Sequence, residues 1–299
     1  MLIFEALAAI HLLFLYIMMM STKETVYKQI TIYSFNASSI RGKLQEFNSH
    51  FDAASEYDII SLSESWLHDG VYDEEVLYGT NYNIFRRDRD KLTSHKTDGG
   101  GGVLLAVNPL FPAKRRSDLE TSMEIIWVEL KINDFHKVYV GTAYLSYPNL
   151  SVLSMLEDSL DKVHLVAKPQ DSIVLLGDFN NMSDITFGFA DNTNSHATAL
   201  NSAGVCHISS RFLDILHSNE LVQHNTLPTC NGKPLDLVIT NELPVTVSIA
   251  AKACSSIHDG LEVKLNLPGK TKSECVKRCT FNYKKADFSV IHQLLARIC

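Results

Sequence analysis

The chain has only six cysteines in 299 residues, and none forms a C-x-x-C pair. Cys275 and Cys279 stand as C-x-x-x-C with no second His or Cys pair to complete a zinc site. The cysteines also lack the density of a small secreted disulfide scaffold, so a reducing compartment is the default. No Pro- or Gly-rich stretch splits the chain into two domains. Positive charge is in short supply too: 27 Lys and Arg against 34 Asp and Glu give a formal net charge of -7. That excludes a protein that holds nucleic acid mainly by bulk positive charge. Any phosphate contacts must come from local basic clusters. An acidic balance does suit a site that gathers carboxylates around a divalent cation. What is present, 45% hydrophobic and 20% charged residues, is globular composition. The length suits a single α/β sandwich.

The most apolar run is residues 1–20, interrupted by Glu5 and His11. It is long enough to span a bilayer or to serve as a signal segment. However, no Lys or Arg precedes it and no A-x-A-like cleavage site follows. Residues 1–26 are therefore read as an apolar extension outside the fold. A membrane or secretory route stays open, a nuclear or cytoplasmic location is the main expectation, and no stable membrane partner is expected.

Past residue 26, short strand-like runs alternate with helix-length stretches. Residues 29–35, 58–62, 103–107, 172–176, 235–240 and 262–267 read as strands. Residues 124–130 and 137–144 bracket Asn133-Asp134 as a hairpin would. Leu44, Phe47 and Phe51 recur at helical spacing within 42–56, and 150–166 reads as a second helix. The four glycines at 99–102 predict a tight strand-entry turn, because the G-x-x-x-x-G-K-[ST] phosphate loop is absent. Many strands with helices between them, and no internal repeat, predict two sheets packed as a sandwich and flanked by helices. After Pro268 the composition turns basic over 270–285, and 286–298 has the period of an amphipathic helix. Residues 268–299 are read as a tail.

Polar residues at strand ends open onto the face where ligands bind, and several stand there. Asn36 closes the first strand, and Tyr144 ends the hairpin. Glu64 lies in Ser-Leu-Ser-Glu-Ser-Trp-Leu, and Asp178 and Asn180 lie in Leu-Leu-Gly-Asp-Phe-Asn. Asp236 lies in Pro-Leu-Asp-Leu-Val-Ile-Thr, and His258 in Ser-Ile-His-Asp. A lone carboxylate after a strand is most often a turn former or a helix cap. The order and the contexts together carry the signal.

That order resembles the endonuclease/exonuclease/phosphatase superfamily over residues 27–267. Tyr82-Asn83-Ile84-Phe85-Arg86-Arg87-Asp88-Arg89, followed by the glycines and Val103, resembles the Tyr…Arg-x-Asp-Arg…Gly-Gly-Gly-Val segment of apurinic-like endonuclease domains in LINE-like (non-LTR) retrotransposons. Thr229…Leu235-Asp236-Leu237 resembles their Thr…Leu-Asp-Leu segment. Residues 278–295, with Tyr283-Lys284-Lys285-Ala286-Asp287, resemble the stretch that leads to a reverse transcriptase, a domain absent from this chain.

The resemblance implies a four-layer α/β sandwich of two mostly antiparallel sheets flanked by helices. It implies a metal-dependent phosphodiesterase that nicks DNA at a retrotransposon target site. Glu64 and Asn36 would hold Mg²⁺ (or Mn²⁺). Asp178 would orient or deprotonate the attacking water, Asn180 would donate a hydrogen bond to the phosphate or that water, and Tyr144 would contact a phosphate oxygen. His258 would bind the scissile phosphate, with Asp236 holding its ring. Arg86, Arg87, Arg89, Lys114, Arg115 and Thr229 are the expected nucleic-acid contacts, with Lys91 and Arg116 beside them.

One position departs from the family. Its Ser-Asp-His is Ser256-Ile257-His258 here. An isoleucine neither ligates a cation nor accepts a hydrogen bond, which predicts impaired catalysis. Two other readings follow: a catalytically degenerate remnant that binds nucleic acid, and a phosphatase acting on phosphorylated lipids.

Overall fold

A computed structural model describes residues 28–51, 57–89, 100–180, 184–188, 198–199, 206–241 and 243–267. In chain order these form β1 (Lys28–Asn36), α1 (Leu44–His50), β2 (Ile59–Ser63), β3 (Asn83–Arg87), β4 (Val103–Val107), β5 (Ala113–Arg115), β6 (Glu124–Lys131) and β7 (Lys137–Tyr144). There follow α2 (Leu150–Val166), β8 (Ser172–Asp178), β9 (Phe187–Gly188), β10 (Thr198–Ala199), α3 (His207–Ser218), β11 (Val222–Gln223), β12 (Asp236–Thr240), β13 (Val245–Ala250) and β14 (Gly260–Leu267).

Two six-stranded sheets run β13-β14-β1-β2-β4-β3 and β11-β12-β8-β7-β6-β5. Each is antiparallel except for one central parallel pair, β1 with β2 and β7 with β8. The expected pair of mostly antiparallel sheets with flanking helices is therefore what the chain forms. The inner faces interdigitate through Ile30, Ile32, Val103, Leu105, Val128, Val140, Val174 and Val263. Outside the second sheet, Leu153, Leu156, Leu160 and Val163 of α2 and Phe212 and Ile215 of α3 cover Ile125, Trp127, Ile173 and Leu175. Outside the first sheet, Phe47 and Phe51 pack on Tyr33, Phe35, Ile60 and Leu104. Covered on both faces, β2, β4, β8 and β12 are buried at every residue, which is why apolar residues run consecutively in them rather than alternating with polar ones.

Local sequence explains the element ends. Asn149 caps α2, its side chain accepting the N–H groups of Ser151 (3.0 Å) and Val152 (3.1 Å). The first helix is shorter than residues 42–56, beginning at Leu44 after Gly42, whose φ is +77°. Strand β8 outruns its apolar core: Gly177 and Asp178 stay in the ladder opposite Leu237 and Asp236. Gly177 has φ +130°, and a Cβ there would collide with the carbonyl oxygen of Ala143. Only glycine lets β8 lie this close to β7 and carry Asp178 to the strand end.

Residues 1–26, Lys91 and residues 268–299, with the expectations attached to them, lie outside the described residues. Among the described residues no helix is long and apolar enough to cross a membrane.

Candidate active site

Strand register aligns one polar row across the second sheet. Glu124 of β6 faces Tyr144 of β7, Tyr144 faces Asp178 of β8, and Asp178 faces Asp236 of β12. In the first sheet Asn36 closes β1 beside Ser63, and Glu64 follows directly. The carboxyl ends of both parallel pairs thus converge, the usual place for a ligand crevice in α/β sheets.

Asn36 joins the sheets. Its Nδ2 donates to Glu64 Oε1 (2.9 Å) and to Asp178 Oδ2 (2.7 Å), and its Oδ1 accepts the N–H of Ser38 (2.9 Å). The amide orientation follows from these partners, since its oxygen would repel two carboxylates. Asp178 is fully buried and accepts from Asn180 twice, the backbone N–H at 2.9 Å and Nδ2 at 3.1 Å. Burial and the neighbouring Asp236 push its carboxyl up to about 7, against the pull of Asn180, His258 and Asn36.

His258 Nδ1 lies 2.8 Å from Asp236 Oδ2, and its Nε2 lies 3.9 Å from Asp178 Oδ2. Burial alone would lower the imidazole pKa. The Asp236 hydrogen bond and the charges of Asp236, Asp178 and Glu64 outweigh it and raise the pKa above the ordinary histidine value. At 3.9 Å, Nε2 makes no hydrogen bond to Asp178 and keeps its donor for a ligand. Thr229 is buried, and its hydroxyl accepts the N–H groups of Leu235 (3.2 Å) and Asp236 (3.1 Å), so it fixes the loop that delivers Asp236. Tyr144 has its phenol pKa raised by burial first, then by the charge of Glu64 and a hydrogen bond to it. The phenol therefore stays a proton donor.

The basic residues are placed differently from the polar row. Arg89 binds Glu124 through Nε (3.0 Å) and Nη2 (2.6 Å), with its guanidinium 5.6 Å from the Tyr144 ring centre. Arg86 pairs with Asp73 (3.1 Å) and Asp88 (3.5 Å). Arg87 donates to the carbonyls of Thr121 (2.7 Å) and Ile125 (3.1 Å). Arg115 grips Glu120 through two hydrogen bonds of 2.9 Å each, and Arg116 pairs with Asp118 (2.8 Å) and Glu129. These arginines meet acids and carbonyls of their own chain, while Lys114 is exposed.

Three groups carry the site without having stood out in the sequence. Buried Glu124 accepts both Arg89 and the N–H of Gly102 (2.7 Å). Its signal was a carboxylate opening the apolar run of residues 125–128. Ser256 Oγ donates to the Asn36 carbonyl (2.8 Å) and accepts the N–H of His258 (3.1 Å), tying those two loops together. Trp66 donates Nε1 to Glu64 Oε2 (3.2 Å). Ser38, Ser39, Glu64, Trp66 and Asn180 all have positive φ. Such strain persists only where surroundings enforce it, and it clusters at functional sites. Here Ser39 N–H bonds the Glu64 carbonyl (2.8 Å), and Trp66 N–H bonds that of Gly101 (2.9 Å).

Asp178, Asp236 and His258 place three ligand atoms within 4.8 Å of one another. The Nδ1–Asp236 bond already uses that side of the ring, so Nε2 and the carboxylates are what remains. Glu64 and Asp178, linked through Asn36, present the carboxyl oxygens that a hard divalent cation prefers. Glu64 Oε1 accepts from Asn36 and Oε2 from Trp66, and the carboxyl also accepts the Tyr144 phenol, which leaves one of its roughly four lone-pair sites for a cation. The donor chemistry fits such a cation.

The pattern of known proteins agrees with this geometry. The profile of the Endonuclease/Exonuclease/phosphatase family matches residues 33–251. The chain belongs to that family. Membership makes phosphate-ester hydrolysis its general chemistry. The endonuclease domain of TRAS1, a telomere-specific non-LTR retrotransposon, superposes with a TM-score of 0.56 at 15% identity, covering 81% of this chain and 100% of that domain. The AP endonuclease LMAP from Leishmania major superposes at 0.61 and 15% identity, covering 81% and 89%. The 3'-5' exonuclease NExo from Neisseria meningitidis superposes at 0.53 and 13% identity, covering 79% and 100%. At such identities the likeness is one of fold. No curated protein sequence matches the chain.

Proposed function

We propose that this chain is a divalent-metal-dependent phosphodiesterase that nicks DNA, the target-site endonuclease of a non-LTR retrotransposon. The observation that carries the proposal is Asp178, buried at the meeting of the two sheets between Asn36, Asn180 and the His258–Asp236 pair. The domain carrying this activity is residues 27–267, with 1–26 as an extension and 268–299 leading toward a reverse transcriptase.

Glu64, with Asp178 beside it, would hold Mg²⁺ or Mn²⁺, and Asn36 would join them by turning its Oδ1 from Ser38 toward the cation; the cation would supply charge stabilisation for the phosphate and the leaving 3′ oxygen. Asp178, with a pKa raised to about 7, takes a proton from water. The water oxygen attacks phosphorus in line as the bond to the 3′ oxygen breaks, and the departing oxygen takes a proton from solvent, leaving a 5′ phosphate and a 3′ hydroxyl. The His258 imidazolium and the Asn180 amide donate to phosphate oxygens, and the Tyr144 phenol joins them by turning its one O–H from Glu64 to a phosphate oxygen. The first two donors are fixed before the substrate arrives, so their alignment costs little during reaction.

Ile257 supports a second reading, a copy with reduced or lost catalysis. Its side chain is 68% exposed beside His258, where the family's carboxylate would sit. The neighbouring Asp259 is drawn to Lys252 (3.1 Å) instead. The substrate class is tested by offering two phosphate esters with Mg²⁺: a supercoiled plasmid and vesicles containing phosphorylated inositol lipid. Relaxed circles without phosphate release support the DNA reading, and phosphate release without nicking overturns it.

A further inference from the structure

We propose that Trp66 is a binding platform for a nucleobase next to the phosphate at the active site. The inference rests on the DNA reading above and adds what the site recognises besides phosphate.

Trp66 follows β2 by three residues and sits two residues from Glu64. Its φ is +55°, a conformation that a bulky side chain adopts only under constraint. Two contacts supply the constraint. The indole Nε1 donates to Glu64 Oε2 (3.2 Å), and the backbone N–H donates to the Gly101 carbonyl (2.9 Å). Gly100 backs the ring: a Cβ at that position would lie 3.4 Å from Trp66 Cε2. A ring held this way serves no core, for it stays 41% exposed.

The result is a flat, preorganised aromatic surface whose edge touches the carboxylate proposed to hold the cation. A nucleotide whose phosphate sits at Glu64, Asp178 and His258 carries its base within reach of that ring. Every base offers a π-face, so such a platform is tolerant of sequence. It also supplies affinity that the chain's net charge of -7 does not. A lipid surface is the poorer fit. Aromatic anchors at a membrane interface keep their polar tip free for the headgroups, whereas this indole N–H is engaged with Glu64.

The chain offers its own readout because it has two tryptophans. Trp127 is fully buried and donates Nε1 to Ser159 Oγ (2.9 Å), so its emission serves as an internal reference. The full chain, with Ca²⁺ in place of Mg²⁺ so that the cation site is filled while cleavage is held off, is titrated with a short oligodeoxythymidylate and with a backbone oligomer of the same length lacking bases. Binding is followed by anisotropy of a dye on the oligomer and stacking by tryptophan emission. Both oligomers should bind, and only the base-bearing one should quench. Trp66→Phe should abolish the quenching while keeping most of the affinity. Trp66→Ala should weaken oligothymidylate binding about tenfold, the range of one lost stack, and leave the baseless oligomer unaffected.

Binding of oligothymidylate without quenching, or equal quenching by both oligomers, overturns the platform and leaves the DNA reading standing. Failure of both oligomers to bind removes the DNA reading and this inference with it. A blue shift with phosphorylated-lipid vesicles and no response to oligothymidylate overturns it in favour of a membrane-facing residue.

Discussion

Arg89 and Glu124 form a two-pronged ion pair at the end of the sandwich, 3.0 Å and 2.6 Å between partner atoms, with less than a tenth of either side chain exposed. Gly101 lies so close to the guanidinium that any Cβ there would strike it, and Tyr144 lies under its face. The glycine turn is therefore a packing device for this pair. Removing one member of a buried pair leaves the other charge without compensation. Arg89→Met should lower unfolding stability by about 3–5 kcal/mol, read from the urea midpoint. A loss under about 1 kcal/mol, the value of an exposed pair, would show that the pair is not buried in solution.

The same placement separates the proposed DNA contact Lys114 from arginines engaged within the chain. Each phosphate contact adds a counterion to the salt dependence of binding. Lys114→Ala should reduce the slope of log affinity against log salt by about 1. Arg87→Ala should leave that slope unchanged and lower the melting temperature, because its guanidinium binds the carbonyls of Thr121 and Ile125. The opposite pattern would make Arg87 a DNA contact.

Asp236 should set the pH profile through His258. The histidine's raised pKa depends on the Asp236 hydrogen bond and charge, and burial, which lowers it, persists when they are gone. Activity that needs the imidazolium falls as pH rises through the histidine pKa. In Asp236→Asn that descending limb should move to lower pH. An unmoved limb would mean that His258 acts in its neutral form.

Away from the site, Glu129 offers a stability test. Burial raises its pKa, but hydrogen bonds from Lys137 and Arg116 lower it further, so the net value lies below 4.5. A depressed folded-state pKa contributes stability that is present above the unfolded value and lost as pH falls through the folded one. Wild type should lose more stability than Glu129→Gln as pH drops below about 4.5. Parallel acid limbs in denaturant titrations would contradict this.

Much of this architecture was legible because burial leaves a periodic trace. Strand β4 and helix α2 match their expected limits, and the β6–β7 hairpin turns at Asn133-Asp134. What escaped had a diluted or absent pattern. Helix α3 buries Phe212, Ile215 and Leu216 but also Ser209, so its apolar stripe is short. Strand β5 is three residues with two basic side chains, and β13 is a half-exposed edge. The parallel pairing of β1 with β2 and of β7 with β8 depends on long-range contacts that no local window holds. At the site, the polar strand ends were visible one by one. Their alignment as Glu124, Tyr144, Asp178 and Asp236 needed the register. The arginines of residues 86–89 looked like a basic patch because sequence does not reveal that Asp73 and Glu124 fold onto them.

The central claim is that Asp178 and its neighbours hydrolyse a phosphodiester with a divalent cation. It is tested most directly by nicking of supercoiled plasmid by the full chain, with Mg²⁺ and with chelator, beside Asp178→Ala and Ile257→Asp. The account predicts metal-dependent nicking, a loss of about 10²–10⁴-fold in Asp178→Ala, and a faster rate in Ile257→Asp. Folded protein that leaves the plasmid intact in all three forms, or nicking that Asp178→Ala does not reduce, would contradict it.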